Sequence, residues 1–238
     1  MGLRLVRRTV PSVAAVLLVA AGVALAQTAP LRILYIGNSL TYTHDLPALV
    51  GAIGRANGRT VSHQQVVAPD FSLEDHWQRG EALGAISRGG WDIVVLQQGP
   101  SALPESRALL VSYTRRFAEE IRKAGARPAL FMVWPAQARR GDFPGVGRSY
   151  TAAADAVGGL LLPVGDAWRQ AWRRDSRLQL YGPDGFHPSL LGTRLAALVI
   201  YQAATATSPA VLPFGDLTDA QATALRQATD AVLAARAR

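Results

Sequence analysis

Residues 32–41 read Arg-Ile-Leu-Tyr-Ile-Gly-Asn-Ser-Leu-Thr. The run Arg32–Ile36 is compact and apolar, the pattern of a strand buried in a parallel sheet, and Gly37 ends it. Leu46, Leu49, Val50 and Ile53 then recur at helical spacing until Asn57-Gly58 stops the helix. The same signals repeat along the chain. Thr60 to Val67 is rich in β-branched residues and reads as a second strand, and Leu73 to Ser87 as a helix ending before Gly89-Gly90. Asp92 to Leu96 is the clearest strand, followed by an amphipathic helix marked by Leu109, Tyr113, Phe117 and Ile121 and closed by Gly125. Pro128 to Trp134 reads as a fourth strand, Tyr150 to Val157 as a helix, and Leu160 to Pro163 as a short fifth strand. Leu190 to Ala206 forms a last core helix, and Asp219 to Arg236 a terminal amphipathic one.

Strands alternating with helices imply βαβ crossovers, hence an α/β chain with a parallel five-stranded sheet between two helical layers. Ligands of such sheets sit beyond the carboxyl ends of the strands. Those ends are Gly37–Leu40, Ala68–Ser72, Gln97–Ser101 and Trp134–Ala136.

The chain has 238 residues, 49% apolar and 18% charged, which suits one domain with a full core and argues against disorder. The first 26 residues are expected to be a secretory signal peptide. Arg4, Arg7 and Arg8 precede an uncharged apolar run, Val13 to Leu25, and Ala24-Leu25-Ala26 has the small-x-small form of a cleavage site. The competing reading, an uncleaved membrane anchor, asks for about 20 apolar residues, more than the run offers. Residues 27–238 are then expected to form one folded domain, secreted or periplasmic, with no stable membrane span after signal removal. The formal charge of +8 drops to about +5 without the leader, and the basic residues are scattered arginines with a single lysine, Lys123. Lacking a basic stripe interleaved with aromatics, the chain gives nucleic-acid binding little support. The absence of cysteine excludes disulfides, thiol catalysis and thiolate metal sites.

Ser39 stands directly after the first strand, where a strand–helix junction exposes a hydroxyl and aims a backbone N–H at a developing oxyanion. A plain helix N-cap is the bland alternative. Far downstream, Asp184-Gly185-Phe186-His187-Pro188 precedes the last core helix. His187 can take the serine proton, and Asp184 can hold the imidazole in its tautomer. Alone, this stretch would more commonly be a turn followed by a cap.

Together the two pieces, Gly37-Asn38-Ser39-Leu40 and Asp184-Gly185-Phe186-His187-Pro188, resemble the first and last blocks of the SGNH/GDSL hydrolases. The resemblance spans nearly the whole chain after the leader. It implies a flavodoxin-like α/β/α sandwich, a Ser39–His187–Asp184 triad, hydrolysis of acyl esters on sugars or lipids, and no metal or organic cofactor. In the family's second block a glycine N–H helps hold the oxyanion, and Asp70 stands in that place here. The third block normally ends in an asparagine that donates a further hydrogen bond. Here Gln97 or Gln98 takes that part, in a variant with glutamine for asparagine, and Gln97 is preferred as the first residue beyond the strand. One such donor is worth about 3 kcal/mol of transition-state stabilisation. Asn38, Trp134 and Phe186 are the candidates for substrate contact, and Tyr181 for an apolar wall.

The expected activity is that of a secreted serine esterase on short acyl esters, acetyl foremost, with small-molecule or carbohydrate esters as substrates. A lipase or thioesterase of the same fold, or a non-catalytic secreted binding module, are the rivals. Glu74-Asp75-His76-Trp77 reads as a solvated helix face with a packed Trp77. His44 and His63 are isolated, and the four histidines lack the spacing of a zinc site.

Overall fold

The computed structural model describes residues 1–2 and 29–236, so all but the first two residues of the segment read as a signal peptide lie outside the described residues. The chain runs β1 (Leu31–Gly37), α1 (Ser39–Tyr42), α2 (Leu46–Ala56), β2 (Val61–Val67), α3 (Leu73–Arg79), α4 (Glu81–Ser87) and β3 (Ile93–Leu96). It continues with α5 (Pro104–Lys123), β4 (Arg127–Phe131), α6 (Phe143–Asp155), β5 (Leu160–Leu162), α7 (Val164–Arg174), α8 (Leu190–Thr205) and α9 (Asp219–Ala234). The five strands form one parallel sheet in the order β2-β1-β3-β4-β5. Helices α3, α4, α5 and α6 pack together as one layer, and α2, α7, α8 and α9 as the other. This is the three-layer sandwich that the alternating pattern implies.

Burial explains why the strands read clearly. All of β3 is buried, and in β1 only Arg32 is exposed, so both are near-continuous apolar runs. The edge strand β2 exposes Ser62, His63 and Gln64. Strand order reverses at β1. The chain leaves β1 toward β2, then returns past it to β3, so the loops after β1 and β3 diverge and open a crevice between them.

Several element boundaries differ from the sequence reading. The helix expected over 73–87 is two helices, because Gly80 takes a left-handed φ of 79° that caps one and starts the other. On α5 the buried stripe is Leu110, Tyr113, Thr114, Phe117 and Ile121, while Leu109 is exposed. A strict spacing of four drifts by about 40° per step around a helix, so the row through Leu109 leaves the core face. Strand β4 stops at Phe131, where its ladder with β5 ends. Helix α6 begins at Phe143, with Pro144 in its first turn, well before Tyr150. Helix α7 was not anticipated. Its buried face, Val164, Ala167, Trp168 and Ala171, has the right period but lies among four charged residues. Among the described residues no helix is long and apolar enough to cross a membrane.

An aromatic cluster ties β4, α7 and the segment after α7 together. Trp134 and Trp168 stack at 3.9 Å with an interplanar angle of 11°, and Trp168 meets Trp172 and Tyr181 edge-on. Trp168 is fully buried. Trp168→Ala is therefore expected to lower unfolding free energy by about 3–5 kcal/mol, read as the shift of a urea transition.

Candidate active site

Asn38 caps α1. Its extended backbone lets Oδ1 accept from Leu40 N at 3.1 Å, which leaves Ser39 as the first helical residue. The cap is therefore Asn38, and the Ser39 side chain is free for another partner. Ser39 Oγ lies 2.8 Å from His187 Nε2, a contact across 148 residues of sequence. His187 Nδ1 lies 2.5 Å from Asp184 Oδ2. A carboxylate only accepts, so Nδ1 carries the ring hydrogen and Nε2 is the acceptor for the serine hydroxyl. Asp184 Oδ1 accepts from Phe186 N and His187 N, both at 2.9 Å. The His187 side chain first, and the Phe186 amide second, hold the Asp184 carboxyl below the usual carboxylate range. Serine, imidazole and carboxylate thus stand in a relay able to pass one proton from the hydroxyl to the ring.

The loop carrying Asp184 and His187 is pinned from several directions. Gly182 N donates to His187 O at 2.8 Å, and Gln137 N to Gly185 O at 2.7 Å. Trp134 Nε1 donates to Phe186 O at 3.0 Å, and Tyr181 Oη to Pro135 O at 2.6 Å. His44 Nε2 lies 3.2 Å from Pro188 O, which joins the serine side of the crevice to the histidine side. His44 and Asp45 hold φ values of 54° and 51°, a left-handed turn between α1 and α2.

Two backbone N–H groups near the serine, those of Ser39 and Asp70, have no protein acceptor among the described residues. Asp70 has a left-handed φ of 58°, a conformation native to glycine and tolerated by aspartate, and its side chain is exposed. Gln97 is placed otherwise than expected. It is fully buried, and its Oε1 accepts from Asn38 N at 2.8 Å and Thr41 Oγ1 at 2.7 Å. Its Nε2 donates to Asn38 Oδ1 at 2.9 Å and Gln98 O at 2.7 Å, so both amide hydrogens are engaged within the protein. Gln98 Oε1 accepts from Leu73 N, and its Nε2 gives one hydrogen to Ser101 Oγ at 2.7 Å, which leaves the second. Of the two glutamines, Gln98 is the one with a hydrogen to spare.

The expected substrate contacts separate. Trp134 is fully buried and holds Phe186 O of the Asp184–His187 loop, and Tyr181 is buried with its hydroxyl donating to Pro135 O. Asn38 is 5% exposed, and its Nδ2 donates to Phe71 O at 3.0 Å. Phe186 is half-buried and lines a cleft of ≈ 280 Å³ together with Pro100, Leu103, Ser106 and Pro135. His76, read as part of a solvated face, is buried instead, with Nε2 2.8 Å from Gly37 O. The spacing Leu73–His76–Trp77 was the available signal, since it puts the ring on the helix face that packs inward.

No protein-family model matches the sequence, and no curated protein matches it. Solved structures do. A proposed SGNH hydrolase from Slackia heliotrinireducens is 27% identical, with a TM-score of 0.64 over 74% of this chain and 99% of its own. A DUF4886 family protein from Bacteroides uniformis is 19% identical, with a TM-score of 0.75 over 86% of this chain and 95% of its own. An acetyl xylan esterase is 16% identical, with a TM-score of 0.59 over 73% of this chain and 99% of its own. The chain has the fold of the SGNH/GDSL hydrolases.

If Gln97 is a brace, Gln97→Ala strips an acceptor from two buried donors. Its expected cost is about 2–3 kcal/mol of stability, seen in urea unfolding, together with a loss of activity. Undiminished stability with a lower kcat would instead make its amide a direct donor to substrate.

Proposed function

We propose that this chain is an exported serine esterase that hydrolyses short acyl esters, acetyl esters of carbohydrates foremost. The observation that carries the reading is the relay from Asp184 through His187 to Ser39, at 2.5 Å and 2.8 Å, in the crevice of this fold. Ser39 Oγ attacks the ester carbonyl as its proton passes to His187 Nε2. The N–H groups of Ser39 and Asp70, with Gln98 Nε2 as the third candidate, receive the charge on the former carbonyl oxygen. His187 returns the proton to the departing alkoxide, and the acyl group remains on Ser39. Water then attacks the acyl carbon and loses a proton to His187. The second tetrahedral species releases the carboxylic acid and regenerates the hydroxyl. Asp184 accepts from Nδ1–H throughout and stabilises the imidazolium between the two transfers.

The acetyl xylan esterase among the structures of this fold supports an acetyl substrate on a sugar. The apolar cleft beside Phe186 favours a second reading, a lipase or thioesterase acting on longer chains. Export rests on the leader: amino-terminal sequencing of protein recovered outside the cytoplasm is expected to begin at Gln27, and an intact Met1 in that fraction would contradict it.

Ser39→Ala is expected to lower p-nitrophenyl acetate turnover by about three orders of magnitude or more. A fluorophosphonate probe should label the parent protein and not the variant. An unlabelled parent with measurable ligand affinity would make the chain a binding module. Turnover that rises from acetyl to octanoyl esters would favour the lipase reading.

A further inference from the structure

His76 stands outside the relay, yet it touches the backbone from which Ser39 is presented. It is 2% exposed, and its Nε2 lies 2.8 Å from Gly37 O. A carbonyl only accepts, so Nε2 must carry the hydrogen. Burial pushes the ring below its ordinary imidazole value, which keeps it neutral with that one tautomer.

The peptide unit between Gly37 and Asn38 is gripped along both edges. Its carbonyl accepts from His76 Nε2–H and from Ala68 N at 3.2 Å. Its N–H donates to Gln97 Oε1 at 2.8 Å. The next peptide unit bears the unspent Ser39 N–H. Rotating the first plane about its flanking bonds would re-aim that N–H and the serine hydroxyl together. The His76 ring also meets Phe71 edge-on at 5.1 Å, and Phe71 follows Asp70, the other residue with an unspent N–H. Phe71 O is in turn held by Asn38 Nδ2 at 3.0 Å. One buried imidazole therefore holds the Gly37 carbonyl and packs against the side chain that follows Asp70.

We propose that His76 is a positioning residue for the oxyanion site, its Nε2–H fixing the Gly37–Asn38 peptide and its ring packing edge-on against the Phe71 ring. The assignment rests on the serine-esterase reading above. A side chain that only fills space there could be replaced by leucine. A side chain that aims the peptide needs a donor at the Nε2 position, which glutamine supplies and leucine does not. Aim matters most where charge develops, so its loss falls on kcat more than on KM.

The test compares purified parent, His76→Leu, His76→Gln and Ser39→Ala, with kcat and KM for p-nitrophenyl acetate and a urea transition for each. His76→Leu is expected to lose roughly ten- to a hundredfold in kcat with KM within about threefold, and His76→Gln to regain most of the loss. A folded His76→Leu with kcat within about twofold of the parent overturns the assignment. So does a folded His76→Gln that has lost tenfold or more, and this variant decides the matter if the leucine protein does not fold. Turnover surviving in Ser39→Ala overturns the reading of the site and the assignment with it. Turnover surviving in His76→Leu alone overturns only the assignment.

Discussion

The buried amide of Gln97 at the end of β3, lying against Gly37 at the end of β1, is the contact on which the rest of the site depends. A Cβ on residue 37 would collide with Gln97 Oε1 and Thr41 Oγ1, so glycine there leaves the space that the Gln97 amide and the Thr41 hydroxyl occupy. The contact falls where the sheet changes direction, between β1 and β3. There the loops leave in opposite senses and would otherwise be free to spread. Three hydrogen bonds between the Gln97 side chain and Asn38 and Thr41 close that seam and orient the cap that presents Ser39, and a fourth ties the amide to Gln98 O. Buried amides of this kind are stabilising only when every donor and acceptor is matched, and here they are.

The other half of the site is built by a different means. Asp184 and His187 lie on an exposed loop, a place where side chains are ordinarily mobile. Its geometry comes from carbonyls at Gly185, Phe186 and Pro188, which are held by Gln137, Trp134 and His44. Trp134 in turn is clamped by the stack on Trp168, and Arg140 covers Trp172 at 4.1 Å on the outer side. The imidazole thus meets a serine 148 residues away because two rigid bodies, a strand seam and an aromatic cluster, face one another across the crevice. Preorganisation of that sort is what lets backbone N–H groups act on a transition state without reorganising first.

The sequence was most legible where a physical signal is local. Buried parallel strands are apolar runs, and β1 and β3 stood out for that reason. Asp184 and His187 were legible together because they stand three residues apart on one short loop, although distant residues hold that loop in place. Readings failed where a side chain's partner lies across the molecule. Nothing local distinguishes a glutamine that braces a neighbouring strand end from one that faces a ligand, so the preference for Gln97 over Gln98 falls on the side chain whose amide hydrogens are both engaged within the protein. Trp134 lies just past the end of β4, and its stack on Trp168 of α7 holds it inward. That helix was itself obscured by the arginines around its narrow apolar face. His76 was misread because its charged neighbours Glu74 and Asp75 suggested solvent, although its position on the helix faced the core.

The central claim is that Ser39 is the nucleophile and that its own N–H and that of Asp70 receive the developing charge. The most direct measurement is a crystal structure of the protein inactivated by an alkyl phosphonate ester. The account predicts phosphorus bonded to Ser39 Oγ, with the phosphoryl oxygen about 3 Å from both backbone nitrogens. Phosphorus on another residue, or a phosphoryl oxygen turned away from those two nitrogens, would contradict it.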